Sequence, residues 1–447
     1  MSGVGTPSGA GREGEGSPVD RPRWRPGGGL RVDRHRATMA HLSSVYPCHT
    51  DTGFGERGPY IGVNVTGGRS AFYFDPFELY TTGHLTNPNV LVTGDIGSGK
   101  SALVKAFLGR ELAVYGSRRM VTILDPKGEY TQFAAVFGLP VIRLHPGGVD
   151  RLNPMDHRGD PTETVHRQSL ATALVAGVLG RPLDPTEDAV LGWAITSLTR
   201  TGHPFTLADV AAVVTDPAEE LVALSRRTPL ELIHAAGPVI FALDKLLSRT
   251  LAGMFDGPTS VRVDFDDGPG FVIDLSAVYG DDEALPLVML AATSWLAGVL
   301  QHDSQRRVIQ VIDEAWAAVR HGARHFQGSL KLSRTYGVST WLICHRPADL
   351  TAQADDGTSA AKIAAGLLSD IQTRIIYRQP PDQVPIAAEM FALTERERDW
   401  TGQLVRGRAL WRMQRRGAVV HTVLTRTERQ VADTDQKMRT TDELMTA

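Results

Sequence analysis

Gly94-Asp-Ile-Gly-Ser-Gly-Lys100-Ser101 follows the pattern G-x-x-x-x-G-K-[ST]. An apolar run, Asn89-Val-Leu-Val-Thr93, precedes it, and a helix-forming run from Ala102 to Val114 follows. Strand, glycine-rich loop and helix, in that order, form the setting that a phosphate-binding loop requires. Gly94, Gly97 and Gly99 let backbone N–H groups turn inward around phosphate oxygens. The helix N-terminus adds partial positive charge. Lys100 supplies a full charge to the β- and γ-phosphates of ATP, and the Ser101 hydroxyl suits Mg²⁺. The nucleotide-binding set is therefore Gly94, Asp95, Ile96, Gly97, Ser98, Gly99, Lys100, Ser101 and Ala102.

A second signal lies downstream. Arg307-Val-Ile-Gln-Val-Ile312 reads as a buried strand and ends in Asp313-Glu314-Ala-Trp316. A carboxylate at such a strand end holds the water shell of Mg²⁺, and the next one polarises the attacking water. Asp313 takes the first role and Glu314 the second. A helix N-cap pair is the bland alternative. A third strand, Gly337 to Ile343, ends at Cys344-His345-Arg346. A polar side chain there would lie beside the phosphate loop, so His345 is placed to sense the γ-phosphate.

Composition sets bounds on the rest. The 447 residues suffice for two or three domains with cores of their own. Hydrophobic content of 42% and charged content of 22% are ordinary for a soluble globular protein. A net charge of −3 excludes a strongly basic nucleic-acid coat, though not a narrow basic strip inside a ring. Two cysteines, Cys48 and Cys344, give neither a disulfide framework nor a zinc site, which fits a reducing cytosol. The longest apolar stretch, Leu285 to Leu300, is short for a membrane span and reads as a core helix. No apolar signal segment opens the chain.

In chain order, residues 1–36 are rich in Gly, Pro, Ser and Arg and read as a disordered arm. Residues 37–88 hold a short β segment, with strands near Tyr60 and Ala71 expected to form a small antiparallel sheet. Met120-Val-Thr-Ile-Leu124 is a strand ending in Asp125-Pro-Lys-Gly-Glu-Tyr130. There Asp125 and Glu129 could orient water or Mg²⁺ and Lys127 could reach a phosphate. Equally, the cluster could be a capped turn with a local Lys–Glu pair. Residues 156–251 show helical spacing throughout and read as an all-helical insertion. The ATPase core therefore spans 89–155 and 252–425. Its histidine-bearing neighbours lack metal-ligand spacing. Ile371 to Arg378 places Arg374 and Arg378 on one face of a strand near a sheet edge. Leu404 to Trp411 reads as a closing hairpin, and 426–447 as a fraying polar tail.

These blocks together resemble a family. The phosphate loop, DPKGEY, LNP, a helical insertion, FDGPT, DEAW, HRPADL and TRIIYR occur in the order seen in conjugation and type IV secretion ATPases of the VirB type. Those belong with HerA-type pumps and hexameric septal DNA translocases. The resemblance covers about Tyr60 to Met413. It implies an α/β, RecA-like fold with a mostly parallel sheet, Mg²⁺-dependent ATP hydrolysis, and a homo-oligomer, expected to be a hexamer. It further implies channel components and DNA as partners. The expected location is cytoplasmic, including the cytoplasmic face of the membrane. It also suggests that Arg374 or Arg378 acts across a subunit interface. The family's large N-terminal domain is expected to be mostly missing, since only residues 1–59 precede the matched region. Many members have Gln where His345 stands. A DNA translocase of the HerA or septal kind, or a nucleotide-gated scaffold with little turnover, are the alternative functions.

Overall fold

The computed structural model describes residues 55–432, apart from 67–68, 157–162, 218, 266, 304–305, 333, 350–365, 367, 369 and 415. The proposed arm of residues 1–36 and the last part of the tail, residues 433–447, lie outside the described residues.

One sheet carries every described strand. In chain order these are β1 (Tyr60–Asn64), β2 (Ser70–Tyr73), β3 (Val90–Thr93), β4 (Arg119–Asp125), β5 (Val141–Arg143), β6 (Gly270–Asp274), β7 (Arg307–Ile312), β8 (Val338–Cys344), β9 (Thr373–Ile376), β10 (Arg408–Met413) and β11 (Arg416–Thr422). The order across the sheet is β2-β1-β11-β10-β9-β3-β8-β7-β4-β6-β5. From β9 to β5 all neighbours run parallel, and from β9 to β2 they run antiparallel. Two sequence expectations change here. β1 and β2 do not form a small sheet of their own, because β1 pairs with β11 and extends the main one. β9 is no edge strand, because it sits between β3 and β10.

The helices described in full are α1 (Pro76–Thr81), α2 (Lys100–Tyr115), α3 (Thr131–Phe137), α4 (Glu163–Leu179), α5 (Pro185–Arg200), α6 (Leu207–Thr215), α7 (Glu219–Ser225), α8 (Pro229–Lys245), α9 (Ala284–Asp303), α10 (Ala315–Leu332), α11 (Val384–Met390), α12 (Glu395–Gln403) and α13 (Arg426–Ala432). The central strands are apolar on both faces, as parallel strands covered by helices must be. Along β3, Val90 and Val92 enter one core, which holds Phe107 of α2 and Phe133 of α3. Leu91, between them, enters the other core, with α4 to α6 and α8 to α10. The alternation is the two-residue period of a strand, and it makes the fold a three-layer α/β sandwich.

The segment from 163 to 245 is helical, and its starts are coded locally. Asp184, Thr206 and Thr228 each cap a helix, and their backbone N–H groups donate the reciprocal bond to the carboxylates of Glu187, Asp209 and Glu231. These helices are not a detached lobe. Gly177 of α4 lies so close to α9 and α10 that a Cβ there would meet Leu287 at 2.6 Å and His321 at 3.2 Å.

Arg426–Ala432, expected to fray, forms α13 instead. The carboxylate of Glu428 accepts from Arg110 Nε at 2.6 Å and Nη2 at 2.7 Å, and Val431 is buried. The sequence window was polar, but one non-local, bidentate ion pair fixes it against α2.

Candidate active site

Parallel strands put their carboxyl ends on one side, and that side collects the expected residues. The loop after β3 carries residues 94–99. The turn after β4 carries Lys127, β7 ends at Asp313 and Glu314, and β8 ends at His345. Register fixes their mutual positions. Thr93 pairs with Cys344 and Ile376, Gly94 N donates to His345 O at 3.1 Å, and Asp95 N donates to Arg378 O at 2.9 Å.

The loop is tightly built. At Gly94 a Cβ would lie 2.3 Å from Tyr377 Cβ, so only glycine fits. Gly99, at φ 113°, opens α2 without any side-chain cap, which leaves the helix N-terminal N–H groups for an anion. Gly407 N, from the turn before β10, donates to Ser98 O at 2.9 Å. Nothing in the sequence signalled that brace, which comes from the far end of the chain. Ile96 is 75% exposed at the loop's tip.

Lys100 is buried, and its ammonium donates to Gly94 O at 2.6 Å and Asp95 O at 3.0 Å. Its third contact is His345 Nδ1 at 3.2 Å. An ammonium only donates, so Nδ1 accepts and the ring proton belongs on Nε2. Nε2 in turn donates to Glu314 Oε1 at 3.0 Å. The same Oε1 forms an ion pair with Lys127, whose Nζ also lies 3.0 Å from His345 Nε2. Trp316 Nε1 donates to Glu314 Oε2 at 2.6 Å. Lys100, His345, Glu314, Lys127 and Trp316 thus form one connected cluster.

Burial governs the charges. It lowers the Lys100 pKa, against the partial compensation of nearby Cys344, Asp313 and Glu314. Burial, reinforced by the charge of Glu314, pushes Asp313 up to about 7. Burial also pushes Glu314 upward, but the hydrogen bonds from His345 and Lys127 and the Lys127 charge outweigh it and hold the carboxyl at about 2. Glu314 has a φ of 50°, an unfavourable left-handed conformation for a non-glycine residue.

The residues of DPKGEY divide between roles. Asp125 shapes the turn, accepting from the N–H groups of Lys127 at 3.3 Å, Glu129 at 3.1 Å and Tyr130 at 2.8 Å. The Lys–Glu pair is not local, for Lys127 meets Glu314. Sequence spacing could not show that link, because the two stand on different strands brought together only by the β4–β7 pairing.

Arg374 and Arg378 have different partners. Arg374 lies in β9, level with Leu91. Its guanidinium packs over Phe391, 5.4 Å from the ring centre, and donates to Leu368 O at 3.0 Å. Arg378 lies past the strand end, beside the phosphate loop, with Nη2 3.5 Å from Asp95 Oδ2. β9 ends at Ile376, and the hydrogen bonds from Tyr377 N to Thr93 O and from Asp95 N to Arg378 O carry the pairing on to the loop, which sets Arg378 beside it.

The donor set fits Mg²⁺. Ser101 and Asp313 offer hard oxygen ligands, and Mg²⁺ takes one or two protein ligands and fills the rest with phosphate and water. Among the described residues no group of three His, Cys, Asp or Glu could enclose a metal by itself, as a zinc site would need. No described helix is long and apolar enough to cross a membrane.

No protein-family model matches the sequence, and no curated protein matches it. Solved structures do match in fold. VirB4 of Thermoanaerobacter pseudethanolicus is 22% identical with a TM-score of 0.69, over 85% of this chain and 100% of that one. The plasmid coupling protein TrwB, in complex with the non-hydrolysable ATP analogue ADPNP, is 16% identical with a TM-score of 0.56, over 90% of this chain and 96% of that one. TrwB in complex with ADP and Mg²⁺ is 16% identical with a TM-score of 0.53, over 77% and 87%. The α/β, RecA-like fold expected from the sequence is the fold found, and the structural neighbours are those the resemblance named.

Proposed function

We propose that the chain is an ATP-hydrolysing motor that powers conjugative DNA transfer or type IV-like secretion, working as a hexameric ring with channel components as partners. The observation that carries the ATPase reading is the convergence of Lys100, Asp313 and Glu314 past the carboxyl ends of β3 and β7, which flank β8. The TrwB structures with ADP and Mg²⁺ and with an ATP analogue support the nucleotide and the metal.

In this reading the N–H groups of the loop and Lys100 cradle the phosphates. Ser101 and the shell around Asp313 would hold Mg²⁺, which would neutralise charge on the transferring phosphoryl. Glu314 takes the proton of the attacking water, which requires its carboxylate to leave Lys127. His345 positions Glu314 through Nε2 and bonds Lys100 through Nδ1. Arg374 is the arginine proposed to serve a neighbouring subunit, because Arg378 lies against its own loop.

Glu314→Gln keeps shape and loses the base. Nucleotide should still bind while turnover falls about a hundredfold or more. Lys100→Ala should weaken binding itself. Near-normal turnover in Glu314→Gln, measured as phosphate release, would remove Glu314 from the reaction. One observation favours the second function, a nucleotide-gated scaffold with little turnover: both Glu314 oxygens are occupied in the present arrangement. Nucleotide binding by the wild type without phosphate release would decide for it.

A further inference from the structure

The cluster around His345 has an electrostatic imbalance that a nucleotide would resolve. Two ammonium groups flank one imidazole, Lys100 at 3.2 Å from Nδ1 and Lys127 at 3.0 Å from Nε2. Asp313 and Glu314 are the carboxylates whose charge acts on both lysines, and Glu314, the one paired with Lys127, is buried and already takes three donors. A carboxylate has about four acceptor positions, so little is left for a water. Glu314 keeps this pose at a left-handed φ of 50°. Such strain persists only where surrounding contacts impose it, and Lys127 supplies the one fully charged contact to the carboxylate, beside the bonds from His345 and Trp316.

Lys127 is also free enough to move. It stands on a turn, its side chain is one-fifth exposed, and it has Glu314, His345 and the Tyr279 ring as partners. Contacts run from Lys100 through His345 to Lys127, so a second ammonium stands one imidazole away from the loop lysine, at the same strand ends as Glu314.

Resting on the ATPase reading above, we infer that Lys127 is a switch for Glu314. With no nucleotide it pins the carboxylate. When a nucleoside triphosphate enters, the terminal phosphate draws Lys127 away and Glu314 is released to meet water. A diphosphate ends short of Lys127 and leaves the pin in place. Lys127 is thus a positioning residue for the base and the element that distinguishes triphosphate from diphosphate.

The test is equilibrium binding of Mg²⁺-ADP and of a non-hydrolysable Mg²⁺-ATP analogue to the full chain. Lys127→Met should weaken the analogue about ten- to a hundredfold and leave ADP within about threefold, the worth of one charge-assisted hydrogen bond. Lys127→Arg should restore the preference. Glu314→Gln removes the competitor for Lys127, so it should bind the analogue more tightly than wild type does, with ADP unchanged. Loss of both nucleotides alike in Lys127→Met, or no loss of either, would overturn the switch. So would a Glu314→Gln variant with unaltered preference, should Lys127→Met fold poorly. Wild type that binds neither nucleotide would sink the ATPase reading itself. Wild type that binds both, with variants that do not discriminate, would sink the switch alone.

Discussion

Arg119 serves two buried carboxylates at once. Its Nε donates to Glu111 Oε2 at 2.9 Å and its Nη2 to Asp75 Oδ2 at 2.5 Å. One cation cannot neutralise both. Burial, with the Asp75 charge added and Arg119 opposing, pushes Glu111 up to about 8. The folded chain therefore holds a proton there that an unfolded chain releases near pH 4.5. A raised folded pKa gives stability that is complete below pH 4.5 and is lost as pH rises through about 8. Glu111→Gln fixes the neutral form. From pH 5 to 9, denaturant midpoints should fall less for the variant than for wild type, by at least about 1 kcal/mol in unfolding free energy. Parallel pH profiles would show that Arg119 keeps Glu111 ionised. This cluster was not legible in the sequence, for Asp75, Glu111 and Arg119 sit in three elements with no motif to join them. The active-site residues were legible where chemistry demands a local pattern, as around Lys100 and at Asp313-Glu314. Lys127 and Trp316 stood inside noticed blocks, but their shared partner could be found only from the strand pairing.

At the scale of elements, the start of a helix is coded more locally than the rank of a strand. A capping box is written within four residues, as in Asp184 to Glu187, whereas β9 carries no local mark of its two neighbours. Its short length and polar flanks imitated an edge. The helices from 163 to 245 were legible by period, but period says nothing about what a helical face covers. Leu170, Leu174 and Val175 of α4 are buried in the same core as Leu287 and Met289 of α9 and Ala318 of α10. Replacing residues 156–251 with a short flexible linker costs little in loop entropy. It does uncover that apolar surface, at about 25 cal/mol per Å². The excised chain should therefore aggregate or melt without cooperativity in calorimetry. A monomeric product with a sharp transition would mean that α4 to α8 lie on the core without supporting it.

At the scale of the whole molecule, Arg374 and Arg378 lie at two different places, and Arg374 is the one proposed to serve a ring. Arg378 forms a half-exposed ion pair with Asp95 of its own loop. Arg374 lines a cavity of about 530 Å³ with His84, Gln372 and Arg416, away from its own phosphate loop. Its Nε is buried without a partner, and burial together with Arg412 lowers its pKa. A guanidinium held this way gains from a neighbour's phosphate more than one in water would, and a trans-acting arginine can be worth about a thousandfold in rate. The competing role is internal, since Arg374 also ties Leu368 to the Phe391 turn. Mixing separates the two. Arg374→Ala and Glu314→Gln chains should each be nearly inactive alone. Mixed rings can set the intact Arg374 of a Glu314→Gln subunit against the intact Glu314 site next door, so ATP turnover should partly return. Normal hydrolysis by assembled Arg374→Ala rings would end the trans assignment. Inactivity that mixing leaves untouched, with a lowered melting temperature for Arg374→Ala, would assign Arg374 to holding the turn at Phe391 instead.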